Sequence, residues 1–242
     1  MKGLLGALQF MTILPLGKTL SMDPRGITPF FPVVGLVLGL FTALSDLIAV
    51  RLWSPQVAAI IDVVLLIVLT GALHLDGLGD TADGIFSHRG REKALEIMKD
   101  SRIGAMGLVT IVAVLGIKTA GIAALHENRL LMLMVIPAFS RTGILFAMHQ
   151  LPYGRPDGGL GGPFFRERLV LKTLWGALPA TLLALLAGLR GMGLCLGFAL
   201  ITAMLIGYYR RQMNCVTGDM LGAMIEVSEA LLFLMVAMGG GR

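Results

Sequence analysis

Apolar runs long enough to cross a bilayer recur along this chain, and they restrict its fold more than any other feature. A helix rises 1.5 Å per residue, so a hydrocarbon core of about 30 Å needs roughly 20 residues with few charges. The 242-residue sequence offers such stretches near 27–50, 55–74, 103–125, 130–149, 169–189, 192–209 and 219–238. Only 14% of the residues are charged and mean hydropathy is +0.83, far from an average soluble domain. The expectation is an all-α polytopic membrane bundle of about seven transmembrane helices. It forms one domain over 1–242, with polar loops near 75–102, 150–172 and 208–219. The opening LLGALQFMTILPLG is too short before Pro15 to span, and it lacks the small-residue cleavage site of a secretory signal. It reads as a partly buried or interfacial segment.

Charge orients this bundle. A sequence pI near 9.6 suits a nucleic-acid binder in a soluble chain, but in a membrane chain basic residues mark cytoplasmic span ends. With seven spans, fourteen of the twenty lysines and arginines fall on the N-terminal side, from Lys2 through Arg89 and Arg102 to Arg211. Arg51, Arg129, Arg190 and Arg242 fall on the other, and Lys118 and Arg141 lie within spans. The rule places the N-terminus in the cytoplasm, the C-terminus outside, and the dense polar loops on the cytoplasmic face of the cell inner membrane. The expected partners are the lipid bilayer and a soluble substrate met from the cytoplasm, with no nucleic acid. Cys195 and Cys215 read as apolar fillers, since nothing brings them together.

The densest charge lies in LHLDGLGDTADGIFSHRG, residues 73–90. Asp76, Asp80 and Asp83 have spacing i, i+4, i+7, which puts three carboxylates on one face of a continuous helix. Unpaired beside a low-dielectric slab they repel one another, and a divalent cation removes that cost. Hard oxygen donors suit Mg²⁺, which takes one or two carboxylates together with waters and substrate phosphate oxygens. Gly77, Gly79 and Gly84 weaken a helix by roughly 1 kcal/mol each and so imply close backbone approach to something. His74 and His88 flank the motif, His74 being the better placed to handle a proton or support a ligand.

Further charged groups cluster around this motif. REKALEIMKDSRIGAMG, residues 91–107, reads as an amphipathic helix ending in Asp100, Ser101 and Arg102. Arg102 offers a planar fork to phosphate, and Asp100 is either a further metal ligand or the partner of Arg102. Arg141 lies within the fourth span, about 12 Å from its cytoplasmic end, where an arginine is a functional candidate by default. In TGDMLGAMIEVSEALLF, Asp219, Glu226 and Glu229 share one helical stripe with Gly222 and enter the seventh span. Such deep carboxylates face the bundle interior, paired with cations or metal. Lys118 sits in the outer half of its span, and the loop YGRPDGGLG carries Arg155.

These segments, taken in order with ALQFMTILPLG and FFPVVGLVLG, resemble the cobalamin synthase family, also called adenosylcobinamide-GDP ribazoletransferase. The resemblance covers nearly the whole chain and is most specific from Leu73 to Gly107. Many relatives have Glu-Asp-Gly where this chain has Leu75-Asp76-Gly77, so no metal role passes to Leu75. The resemblance implies a Mg²⁺-dependent membrane enzyme that joins adenosylcobinamide-GDP to α-ribazole, or its 5′-phosphate, with release of GMP. The transfer is expected as in-line attack by the ribazole 5′ oxygen on the cobinamide-side phosphorus. Asp76, Asp80 and Asp83 then hold metal, Arg102 and Arg141 stabilise charge, and Asp83 takes the proton. His74, Asp100, Ser101, Arg155, Asp219, Glu226 and Glu229 would contact substrate or support those groups. A homo-oligomer, or association with other late cobalamin-pathway enzymes, stays open. So do two other classes: a CDP-alcohol-type phosphotransferase, suggested by the aspartate spacing, and a transporter with its intramembrane charges lining a pathway.

Overall fold

A computed structural model of the chain describes residues 2–17, 23–155, 158, 161–165 and 171–238. The expected basic residues Lys18, Arg166, Arg168 and Arg242, and part of the YGRPDGGLG loop, lie outside the described residues. Within them the chain is all-α, with helices α1 (Lys2–Met11), α2 (Pro24–Ile27), α3 (Phe31–Leu52), α4 (Pro55–Thr70), α5 (Leu73–Ile85) and α6 (Arg91–Ile97). They are followed by α7 (Ala105–Ala123), α8 (Arg129–Gln150), α9 (Leu178–Leu185), α10 (Leu189–Gln212) and α11 (Gly218–Val236).

Helix α8 is the axis of the bundle. In its most apolar stretch 78% of residues are buried, against 28% in α7 and in α10, which lie at the periphery. Its main partner is α3, and the approach is close because Gly35 and Gly39, one turn apart, face the α8 backbone. A Cβ at either glycine would collide with main-chain atoms of Leu133 to Ala138. Small residues at this spacing let two helices meet backbone to backbone. Pro137 lies inside α8 and has no N–H for the Leu133 carbonyl, one of the atoms over which Gly39 packs.

Helices α4 and α5 are one apolar run broken by a 91° bend. Gly71 and Ala72 both adopt left-handed backbone, φ 60° and 58°. The Ala72 N–H donates to the Ile67 carbonyl at 2.9 Å and the Gly71 N–H to Val68 at 3.0 Å, a Schellman stop for α4. The chain then turns sideways, so that α5 packs chiefly on α11 and α7. Residues 75–102, expected as a polar loop, are therefore mostly helix.

Among the described residues four helical segments are long and apolar enough to cross a bilayer: Pro24–Leu52, α7, α8 and α10, or five spans if the bent α4–α5 pair counts as one. This is fewer than the expected seven. The run expected at 169–189 forms a 3₁₀ turn, Leu171–Ala177, and the eight-residue α9. There Gly176 presses on the Pro29 carbonyl and Trp175 stands edge-on to Phe30, which pins the segment against the start of α3. Helix α11 has the length, but Asp219, Glu226 and Glu229 break its apolar character. The opening segment is helix α1, with Gly6, Ala7, Leu8 and Met11 buried against the bundle, as its composition suggests. Around the outside Ile60, Val64, Val112, Leu200 and Met204 are at least half exposed, an apolar belt that suits lipid.

Candidate active site

One end of the bundle gathers α1, the bend before α5, α6 and the start of α11. Helix α5 reaches α11 through its glycines. A Cβ at Gly77 would stand 2.7 Å from the Asp219 carbonyl, and one at Gly222 would stand 3.2 Å from the His74 Cα. Gly79 packs on Ile111 of α7, and Gly84 on Met98 and Ala94. The glycines of the acidic motif therefore admit neighbouring helices, which are what the expected close backbone approach meets.

Asp76, Asp80 and Asp83 do lie on one continuous helix, but their surroundings differ. Asp83 accepts the Gly104 N–H at 2.6 Å and the Gly107 N–H at 2.8 Å, capping α7 from another helix. Both of its oxygens are engaged in holding α7 against α5, so the carboxylate expected to bind metal and take a proton also has a structural duty. Asp76 is exposed and Asp80 half-buried, and neither has a hydrogen bond or ion pair among the described residues. Around Asp80 the charges are Asp76, Asp219, Arg155 and Asp83.

Deeper in the bundle, Arg141 pairs with Glu229, and Lys118 with both Glu226 and, at 2.8 Å, Glu229. The Ser140 hydroxyl donates to Glu229 at 3.0 Å. Two cations and two anions from α7, α8 and α11 thus form a closed, buried quartet. Arg141 is 1% exposed and Lys118 2%, and the guanidinium expected to stabilise phosphate charge is paired with a carboxylate of α11. His74 is buried, with Nδ1 3.4 Å from Arg141 Nη2. At the opposite end Arg129 grips Asp46 at 2.7 and 2.8 Å and stands 3.8 Å from Asp62. The sequence reading missed these two acids, although a lone aspartate within each of two apolar runs, LSDLIAV and AIIDVVLL, was the available signal.

At the surface, Asp100 and Arg102 bind each other at 2.6 Å, with side chains 40% and 87% exposed. The guanidinium holds the Asp100 carboxyl down at about 2, below the ordinary 3.8. Ser101 is exposed between them. This is the ion-pair alternative for Asp100 and Arg102.

Arg155 reaches inward. It donates to the Met98 carbonyl at 2.9 Å and pairs with Asp219 at 2.6 Å. A short parallel bridge fixes the chain there: Gly154 N–H donates to the Val216 carbonyl and Val216 N–H to that of Pro152, both at 2.9 Å. Thr217 then caps α11 through the Met220 N–H, setting Asp219 in its first turn. Arg155, Asp219, Asp76 and His74 border a cavity of about 300 Å³. Its remaining lining includes Tyr153, Phe10, Phe31 and Phe164, none of which sequence spacing picks out. Burial pushes the Tyr153 hydroxyl above its usual range.

Among the described residues no three His, Cys, Asp or Glu side chains are arranged to hold a metal by themselves. Asp76 and Asp80 nevertheless have the chemistry that Mg²⁺ prefers, two hard, unpartnered oxygen donors one turn apart, with Asp219 near Asp80. Cys195 and Cys215 are both free thiols.

The cobalamin-5-phosphate synthase family matches residues 3–237. A protein of Roseiflexus sp. named adenosylcobinamide-GDP ribazoletransferase is 39% identical, over 93% of this chain and 85% of the relative. Proteins of the same name from Syntrophobacter fumaroxidans and Alkaliphilus metalliredigens are 37% and 33% identical, over 93% and 100% of this chain and 94% and 98% of theirs. No solved structure matches. With a match from near one end to near the other, and relatives at this identity over nearly their whole length, the chain belongs to the cobalamin-5-phosphate synthase family.

Proposed function

We propose that the protein is an adenosylcobinamide-GDP ribazoletransferase, catalysing the final step of cobalamin biosynthesis by joining adenosylcobinamide-GDP to α-ribazole or its 5′-phosphate. The observation that carries this reading is the full-length similarity to relatives of that name. The unpartnered Asp76 and Asp80 beside an Arg155–Asp219 pair supply a rim suited to a nucleotide pyrophosphate.

Atom balance changes one expectation. A family named for cobalamin-5-phosphate leaves a 5-phosphate on its product. The 5′ oxygen is then already substituted, so the attacking group is a secondary ribose hydroxyl. That oxygen bonds to the cobinamide-side phosphorus, the bond from this phosphorus to the bridging oxygen breaks, and GMP departs with the bridging oxygen. The hydroxyl proton goes to a carboxylate, and Asp80 takes this role because its oxygens have no competing hydrogen bond while those of Asp83 do. Arg155 is the guanidinium nearest to this chemistry, and Asp219 holds it in place. Asp76 and Asp80 would hold Mg²⁺, which supplies charge neutralisation on the pyrophosphate.

The rim is assigned to the cytoplasmic face, with the N-terminus on the same side. Arg89, Arg91, Lys93, Lys99 and Arg102 all fall between α5 and α7, at the rim end of the bundle. The reading is tested with purified protein in nanodiscs given adenosylcobinamide-GDP, α-ribazole and Mg²⁺. GMP and a corrinoid product should appear in equal amounts, and a folded protein that releases no GMP overturns the assignment.

A further inference from the structure

The cavity bordered by Asp76 has a lining unlike a usual nucleotide site. Phe10, Phe31 and Phe164, from three separate segments, pack on one another with ring centroids 4.9 to 5.9 Å apart. Ile144 and Met148 of α8 and Ile225 of α11 add an aliphatic wall. The polar groups are largely engaged already. Arg155 and Asp219 pair with each other, His74 stands against Arg141, and the Tyr153 hydroxyl donates to the Gly158 carbonyl at 3.3 Å. Asp76 is the carboxylate left open at the edge.

The two substrates carry different bases into the reaction. Guanine presents an N1–H, an amino group and a carbonyl along one edge. Burying that edge against phenylalanine, isoleucine and methionine would leave its donors and acceptor unpaired. The corrin ring with its side chains far exceeds about 300 Å³. The dimethylbenzimidazole of ribazole is flat, carries two methyl groups, and has one free ring nitrogen once its other nitrogen bears the sugar. An aromatic and aliphatic pocket with a single acidic edge matches that base.

Resting on the transferase reading, we propose that this cavity is the acceptor subsite. It takes the dimethylbenzimidazole base of ribazole against the wall formed by Phe10, Phe31 and Phe164 and leaves the ribose hydroxyls at the Asp76 edge. The donor nucleotide and corrin then lie outside the cavity, on the far side of the carboxylates. This arrangement discriminates between acceptors by the shape and methylation of the base.

The test separates the KM values of the two substrates in nanodisc-embedded protein. With the wild type, a riboside of unsubstituted benzimidazole should show an acceptor KM at least about a hundredfold higher than α-ribazole, since each of the two lost methyls removes about a tenfold preference or more from a fitted apolar pocket. Ile225→Phe, which narrows the cavity, should raise the α-ribazole KM at least about tenfold while the adenosylcobinamide-GDP KM stays within about twofold. Met148→Trp, from the opposite helix, serves as a second variant should Ile225→Phe not fold. A rise confined to the adenosylcobinamide-GDP KM overturns the proposal in favour of the nucleotide, and unchanged values for both overturn it in favour of a hydrocarbon-filled void. A wild type that turns over normally with displaced KM effects refutes the subsite alone. A wild type releasing no GMP refutes the transferase reading beneath it.

Discussion

Replacing Lys118 by methionine tests whether the buried quartet holds the helices that carry the site. Lys118 on α7 joins Glu226 and Glu229 of α11, and Arg141 on α8 joins Glu229 from the other side. Methionine keeps most of the volume and removes the charge, leaving two buried carboxylates to share one guanidinium. Breaking a buried pair by removing one partner costs about 3–5 kcal/mol, because the remaining charge is left uncompensated. For a chain of this size about 1 kcal/mol moves the melting temperature by roughly 2–4 °C, so Lys118→Met should melt about 6–20 °C lower. The double variant Lys118→Met with Glu226→Gln restores two charges of opposite sign and should recover most of that loss. Thermal unfolding in detergent, followed by circular dichroism, reads both. A single variant melting within about 2 °C of the parent, or a double variant no better than the single, would refute the claim that these charges neutralise one another.

Two further substitutions separate catalysis from scaffolding. Asp80→Asn should lower GMP release at least about 100-fold while the melting temperature rises, since it relieves the repulsion from Asp76 and Asp219. Asp83→Asn should instead destabilise by about 1–2 kcal/mol, through loss of a charged cap on α7, while keeping measurable turnover; exchange of these two phenotypes would return the proton acceptor to Asp83. Gly77→Val forces a side chain into the Asp219 backbone and should cost about 1–3 kcal/mol together with most of the turnover, since Asp76 and Asp80 shift relative to α11. Gly90→Ala, where an added Cβ meets nothing, is the matched control and should change neither. A Gly77→Val protein with parental melting and rate would show that the seam does not position the rim.

Much of the fold was legible because apolar length is a one-dimensional property. The runs at 27–50, 103–125, 130–149 and 192–209 correspond to α3, α7, α8 and α10, and the spacing of Asp76, Asp80 and Asp83 does belong to one helix. What the runs do not encode is direction. The 91° bend rests on two left-handed residues, and Ala72 carries no mark of that conformation in its identity. The short α9 likewise depends on Pro29 and Phe30, about 150 residues earlier in the chain. At the site, charge was visible and pairing was not. Arg141, Glu226 and Glu229 look like candidates for chemistry until Lys118 comes between them, and Asp83 looks equivalent to Asp80 until Gly104 and Gly107 arrive from the next helix. The aromatic cavity was illegible for a related reason: Phe10, Phe31 and Phe164 are ordinary apolar residues in three distant segments.

The distribution of partners gives a sharper criterion for function here than depth in the bundle. A charge removed from water is tolerable when an opposite charge and hydrogen bonds meet it, and three deep pairs have them: Arg141 with Glu229, Lys118 with Glu226, Arg129 with Asp46. Those residues can be explained by the stability and register of the helices alone. Asp76 and Asp80 cannot, since they repel each other from adjacent turns of one helix while Asp219 adds a third charge of the same sign. An arrangement that lowers stability in the empty protein, with Asp76 on the rim of an aromatic cavity, is what the proposed metal and pyrophosphate would relieve. The fold maintains it by rigid means, with glycines at Gly77 and Gly222 locking α5 to α11 and Asp83 locking α5 to α7. The carboxylates are thus held at fixed positions by the fold itself, and preorganised charge of this kind is what the proposed phosphoryl transfer requires.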